Sequence, residues 1–302
     1  MQLFFRGVDI APQVGITQAV IIDSAGGRLD SVEVAFADTE GLWSSWNPRL
    51  GDSIRLVQDG LDSGTCYVDQ RGQRQGRYIL RGLSAPEGVK APRSRSWEKV
   101  TLLQLAADVA AAHGLTLAPY GVRDQSYHWV DQTGQGDLTF LAGRCALEGL
   151  ALKVNDNRLI LYSEAELEAA APVRTIRRGD FCGGLEYLDG GGSGCSGCVV
   201  SYGGISGEFA VPGGTGPRLS RELYVTSIGE AQRFAKGLAR QANRRGAMLS
   251  GTVLLDGSLA GGSMVQVSGV GTGDGLYMVE EAEHLLTDGL TSLRLRRRLE
   301  GY

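Results

Sequence analysis

The sequence predicts a mainly β (α+β) protein: two similar β-barrel domains with a small helix/strand domain inserted between them. Three observations lead there. Both ends of the chain consist of short, often alternating apolar runs punctuated by Gly, Asp and Pro. Two helix–Gly–Leu–strand units, TLLQLAADVAAAHGLTLAP (101–119) and DQTGQGDLTFLAGRCALEGLALKVNDNRLIL (131–161), sit together in the middle. Residues 31–84 and 248–298 also share one pattern at long spacing, the mark of an internal duplication.

In chain order, LFFRGV, AVIID, SVEVAFAD, SIRLVQD, TCYVD and RYILRGL read as strands of a first β-barrel over residues 1–90. The stretch SAPEGVKAPRSRSW (84–97), with two prolines and four charges, reads as a linker. An inserted α/β domain follows over 91–165. Its first helix opens on a Thr101/Gln104 capping box and stops at Gly114; its second has Asp137 as N-cap and stops at Gly149. SEAELEAAAP (163–172) is an acidic connector. The second barrel, 166–302, carries one helix at about 228–245, opened by Ser227 and Glu230 and apolar at Ala231, Phe234, Ala235 and Leu238. The repeat aligns the alternating strands Ser53–Val57 and Ser263–Val267. It also aligns the aromatic-bearing strands at Tyr67 and Tyr277 and a final Arg-bearing strand in each half.

Composition narrows the function classes. Hydrophobic residues make up 42% and charged residues 21% of 302, enough for a sizeable core, and 45 glycines fit frequent tight turns. A net charge of −4 gives no case for nucleic-acid readout. The N-terminus lacks the pattern of a secretory leader, and no apolar run reaches the length of a membrane span. Five unevenly spaced cysteines read as a reduced protein.

Three stretches carry a family resemblance: WSSWNPRLGDSIRLV (43–57), the two helical units, and AQRFAKGLARQANRRG with the closing strands. In order they cover most of the chain, and Asp131-Gln132-Thr133 with Asp137-Leu138-Thr139-Phe140-Leu141 is the most specific part. Together they resemble the phage late control gene D family, the baseplate hub proteins of contractile tails, and are similar to the hub part of type VI secretion spike proteins. The sequence departs from the pattern at Gln135 and Gly136, where that family usually has an acid and a small polar residue. The resemblance implies a homotrimeric ring, with six barrel-like units matching a three-fold central spike to a six-fold tail tube. Its implied partners are a separate spike protein (the chain stops at Tyr302, just after its last strand), the tail tube, baseplate wedge proteins and the tape-measure protein. It implies a virion or tail-like particle, assembled in the bacterial host cytoplasm.

Local motifs add little chemistry. Cys195-Ser-Gly-Cys198, with Cys182 nearby, has metal or redox spacing but no second pair and no nearby His. The stretch Gly269–Gly275 leads into a strand, so it reads as a hairpin turn and not a dinucleotide loop. His113, His128 and His284 have no nucleophile in a recognised setting. Glu280 and Glu281 read as a solvated face. Arg294 and Arg296, on a strand read as half-exposed, and Trp43, Trp46 and Trp97, beside loops, are interface candidates. The expectation is a structural protein: no enzyme, no cofactor, no metal. The alternatives are a tail-associated cell-wall hydrolase and a β-rich surface- or glycan-binding module.

Overall fold

The computed structural model describes residues 1–190 and 194–302, apart from the Ser44 side chain. Part of the glycine-rich stretch Asp189–Gly197 therefore lies outside the described residues. Among the described residues, fourteen strands from the two ends of the chain form one sheet. In the first half the ladder runs Ile16–Ser24, Ser31–Ala37, Arg77–Leu83, Cys66–Arg74, Ser53–Gln58, Gln2–Phe5, antiparallel at every step. In the second it runs Phe181–Asp189, Ala247–Leu254, Leu290–Arg297, Gly275–Leu285, Met264–Ser268, Arg174–Arg177, with only the last pair parallel. The bulges recur too. Register slips fall between Ile16 and Gln18 and between Phe181 and Gly183, and again at Val68/Gln70 and Val279/Glu281. A bulge bends and twists its strand, so matching bulges give the two halves matching curvature.

The expected closed barrels are replaced by two open, curved halves of one sheet. The edge of Ile16–Ser24 that closure would need is occupied by the other half: Ser24 faces Glu281 and Val20 faces Leu285, antiparallel. Each half covers its own core. Leu3, Val34, Phe36, Ile54 and Leu80 centre the first; Leu249, Val265, Tyr277, Leu293 and Leu295 centre the second.

Among the described residues the α-helices are α1 (Leu42–Trp46), α2 (Leu102–Ala112), α3 (Asp137–Leu147), α4 (Glu164–Ala169) and α5 (Ile228–Asn243). Two of them begin much as read from sequence. Thr101 Oγ1 accepts from the Gln104 amide at 3.2 Å while Gln104 Oε1 accepts from the Thr101 amide at 2.8 Å. Ser227 Oγ accepts from the Glu230 amide at 3.2 Å, and the Glu230 carboxylate reaches back one residue further, to the Thr226 amide at 2.8 Å. Gly114 and Gly149 end α2 and α3 at φ 65° and 70°. Asp137, read as an N-cap, is the first residue inside α3; Gly136 caps it.

Helices α2, α3 and α5 share a third core with strands Leu150–Asn155, Arg158–Ser163 and Gly197–Tyr202. The helix read as part of the second β-unit thus packs its apolar stripe in the helical core instead. At Gly237 a β-carbon would stand 2.3 Å from the Leu147 carbonyl, so only glycine permits α5 to cross the end of α3 this closely. The linker read at 84–97 is partly a strand. Pro92–Thr101 pairs with Ser126–Gly136 in an exposed two-stranded ribbon, its alternation hidden by Arg and Ser on the outer face. The acidic connector is mostly helix α4.

Candidate functional site

Charged side chains cluster on either side of the sheet junction. On the first half, Lys153 from the helical region reaches Asp23 in a short contact and Asp30 at 3.1 Å. Burial, with Asp23 adding to it, raises the Asp30 carboxyl to about 6 despite the opposing Lys153 charge. On the second half, Arg240 from α5, Arg244 at its C-terminal cap and Arg296 from the last strand meet Glu164 and Glu168 from α4 and Glu280 from the bulge. Arg296 Nε lies 2.7 Å from Glu280, its Nη1 makes a short contact with Glu168, and Arg244 Nε donates to Glu280 at 2.8 Å. Arg240 Nε donates to Glu164 at 3.2 Å, while its Nη2 lies 2.7 Å from Glu168 without hydrogen-bond alignment. Burial alone would lower the Arg244 pKa; the Glu164 and Glu280 charges outweigh it and raise it. Three acids and three guanidiniums balance, which makes a buried cluster tolerable.

A second buried acid organises the helical core. Asp137, 0% exposed, accepts from Arg95 at 3.0 Å and Gln132 at 2.8 Å, and lies 2.8 Å from His113 Nε2. Burial would raise its pKa, but the Gln132 and His113 hydrogen bonds and the Arg95 and Arg93 charges hold it below the usual carboxylate range. The most specific part of the family resemblance is thus a latch between the ribbon, α2 and α3.

The interface candidates separate. Trp43 is buried, stacked on Phe36 at 4.0 Å and on Tyr78 at 5.8 Å, with its amide donating to Asp38. Trp46 is 53% exposed and meets Trp43 edge-on at 5.1 Å. Trp97, half-buried, stacks on Phe140 at 5.4 Å and donates to Asp108. Arg294 is exposed and pairs with Glu281 at 3.4 Å. Arg296, read as half-exposed, is fully buried within the chain, and Glu280, read as solvated, is its counter-ion. Alternation along the strand could not reveal this, because Glu168 lies 128 residues away in sequence.

All five cysteines are free; Cys195 and Cys198 are buried and Cys182 is exposed. Burial raises the Cys198 thiol pKa. Among the described residues no three His, Cys, Asp or Glu side chains are grouped to hold a metal ion. His284, read in a polar stretch, is buried 3.0 Å from the Thr291 hydroxyl. A cleft of about 270 Å³ presents Glu148, Arg233, Lys236 and Tyr302. Its carboxylate is already engaged by Tyr127 and Arg233, each at 3.0 Å. No helix is long and apolar enough to cross a membrane among the described residues.

No family model and no curated protein matches the sequence. Solved structures do match. A 43 kDa tail protein of prophage MuSo2 from Shewanella oneidensis is similar at TM-score 0.76 and 14% identity, covering 98% of each chain. A tail protein from Neisseria meningitidis MC58 is similar at 0.74 and 17%, covering 98% of this chain and 95% of that one. The E. coli c3393 protein is described as a type VI secretion component resembling the T4 tail proteins gp27 and gp5. It is similar at 0.64 and 14%, covering 100% of this chain and 79% of that one. The chain has the mainly β fold of phage tail and type VI secretion proteins.

Proposed function

We propose that this chain is the structural baseplate hub of a contractile phage tail or tail-like injection particle, acting by assembly and not by catalysis. Three copies form a ring in which two β-units per chain give six similar positions. Such a ring adapts a three-fold central spike to a six-fold tail tube. The observation that carries this reading is the shared strand order of the two units, down to two of their bulges, joined side by side in one sheet. The similarity to tail proteins and to a type VI secretion component supports it. The domains are a first β-unit over 1–90, the inserted 91–165 region, and a second unit over 166–302. A spike protein, the tail tube, wedge proteins and the tape-measure protein are its neighbours in a particle assembled in the bacterial cytoplasm.

Native mass by light scattering, alone and with a spike protein, tests the proposal. A species near three times 32.1 kDa, or an equimolar three-fold complex, is expected. A strict monomer in both conditions overturns it. Clearing of peptidoglycan in a zymogram would instead place the chain among hydrolases.

A further inference from the structure

The internal junction contains a rule that the chain uses only once. The leading strand of unit one's ladder, Ile16–Ser24, lies against the C-terminal half of Gly275–Leu285, beyond the bulge at Glu280. Superposing the two ladders by their bulges makes Phe181–Asp189 the counterpart of Ile16–Ser24, and Cys66–Arg74 the counterpart of Gly275–Leu285. Among the described residues, neither counterpart has the equivalent neighbour. Phe181–Asp189 is paired on one side only, with Ala247–Leu254. Cys66–Arg74 meets Ser53–Gln58 only at Cys66 and Tyr67; past its bulge, Arg71, Gly72 and Arg74 pair only with Arg77–Leu83. Past its bulge Cys66–Arg74 is exposed, and so are Glu186, Leu188 (59%) and Asp189, while Phe181, Leu185 and Tyr187 pack half-buried on the second core.

We infer that Glu186–Asp189 of one copy pairs antiparallel with Arg71–Arg74 of the next copy, repeating between chains the junction made within each. The inference rests on the ring proposed above and names the contact that builds it. The register follows by equivalence. Leu285 opposite Val20 becomes Arg74 opposite Glu186, and Glu283 opposite Ile22 becomes Gly72 opposite Leu188. Ala282 opposite Asp23 becomes Arg71 opposite Asp189.

Charge supports that register independently of the symmetry used to obtain it. Two oppositely charged pairs fall directly across the junction, one on each face of the sheet, where cross-strand pairs interact most strongly. Arg71 is already oriented by Asn47 at 2.7 Å and by the Pro48 carbonyl. Shifting the register by one residue sets Arg71 against Leu188 and Arg74 opposite Leu185, losing both pairs. The internal copy of the junction carries the apolar pair Leu285 and Val20, whereas the external copy carries charge, as an edge must if it is to stay soluble before assembly. One copy offers one edge of each kind, so the contact is head-to-tail and propagates until the ring closes.

Disulfide trapping tests the contact. Gly72→Cys and Leu188→Cys are introduced together in full-length chain whose exposed Cys182 is replaced by Ser, then mildly oxidised. Opposed cross-strand residues fall within disulfide reach. Within one chain six strands of the ladder separate the two sites, so no intrachain bond competes. Covalent dimers and a closed species near three times 32.1 kDa are expected from the double variant, and neither from either single variant. Arg74→Glu or Glu186→Arg alone should weaken assembly up to about fivefold per junction. The two together should restore it. If wild-type chain assembles but the double variant does not cross-link, or Leu188→Cys alone cross-links as well, this pairing is overturned while the ring reading stands. If wild-type chain remains monomeric in every condition, the ring reading fails and takes the pairing with it.

Discussion

The two β-units place opposite chemistry on one backbone plan. Where Leu83 faces Tyr67 in the first unit, Arg296 faces Met278 in the second. The first unit's bulge residue, Asp69, meets Lys90 at the surface, at 3.0 Å; the second's, Glu280, is held by Arg244 and Arg296. Next to the strand start, Asp30 of unit one corresponds to Ala247 of unit two. Strand order and bulges can therefore stay fixed while the side chains are reassigned to whatever each unit must grip. The first unit caps its core with aromatic stacking and holds the helical region through Lys153; the second holds it through a balanced cluster of three acids and three guanidiniums.

The largest effect is expected where the second unit departs furthest from the first. Arg296→Leu installs the first unit's residue but leaves the three acids with two guanidiniums, Glu168 keeping only Arg240 and Glu280 only Arg244. It should cost about 3–5 kcal/mol in chemical denaturation, the range for breaking a buried ion pair. A loss below about 1 kcal/mol would mean the cluster is a spectator and the contrast cosmetic. Next comes the connection each unit threads into its core: Trp43 in the first, Leu259 in the second, both buried. Trp43→Ala should destabilise by about 3–4 kcal/mol and Leu259→Ala by about 2–3 kcal/mol. Exposed Trp46→Ala should stay within about 0.5 kcal/mol.

Smaller again is a pH contrast between the halves, read from thermal melts. His284, where the first unit has Gln73, has its pKa lowered, with burial the leading cause. A depressed imidazole pKa adds stability above the usual 6.5 that is lost as pH falls below it, so His284→Gln should flatten the acid side of the profile. Asp30 runs the other way. Its carboxyl is raised from 3.8 to about 6, so its contribution is complete below 3.8 and fades as pH rises through 6. Asp30→Asn should remove that decline. Equal pH profiles for wild type and both variants would erase the distinction. Arg294→Ala removes only a surface pair worth under about 1 kcal/mol.

What could be read in the sequence was local. The capping box of α2, the glycine stops and the alternating strands depend on residues within a few positions of each other, and they stand. The repeat was legible because bulges and turns leave Gly, Asp and aromatic residues at fixed offsets. What escaped depends on partners far along the chain. α4 reads as a polar connector because its acids have no local cation; theirs come from α5 and the last strand. Asp137 reads as a cap because a carboxylate at a helix start ordinarily is one, and nothing nearby announces His113 or Arg95 as its partners. Barrel closure was misread for the same reason: the strand that takes the open edge of Ile16–Ser24 arrives from the other end of the sequence.

That late arrival sets a timetable. Arg28 and Glu281, which bridge the junction, are 253 residues apart. At ordinary translation rates of about 5–20 residues per second, Ile16–Ser24 emerges roughly 10–50 seconds before Gly275–Leu285 exists to cover it. Through that interval its exposed hydrogen-bonding edge is open to neighbouring nascent chains on the same message. Dense polysomes should therefore be a harder place to make this protein than dilute ones, and slowing initiation a better remedy for aggregation than slowing elongation.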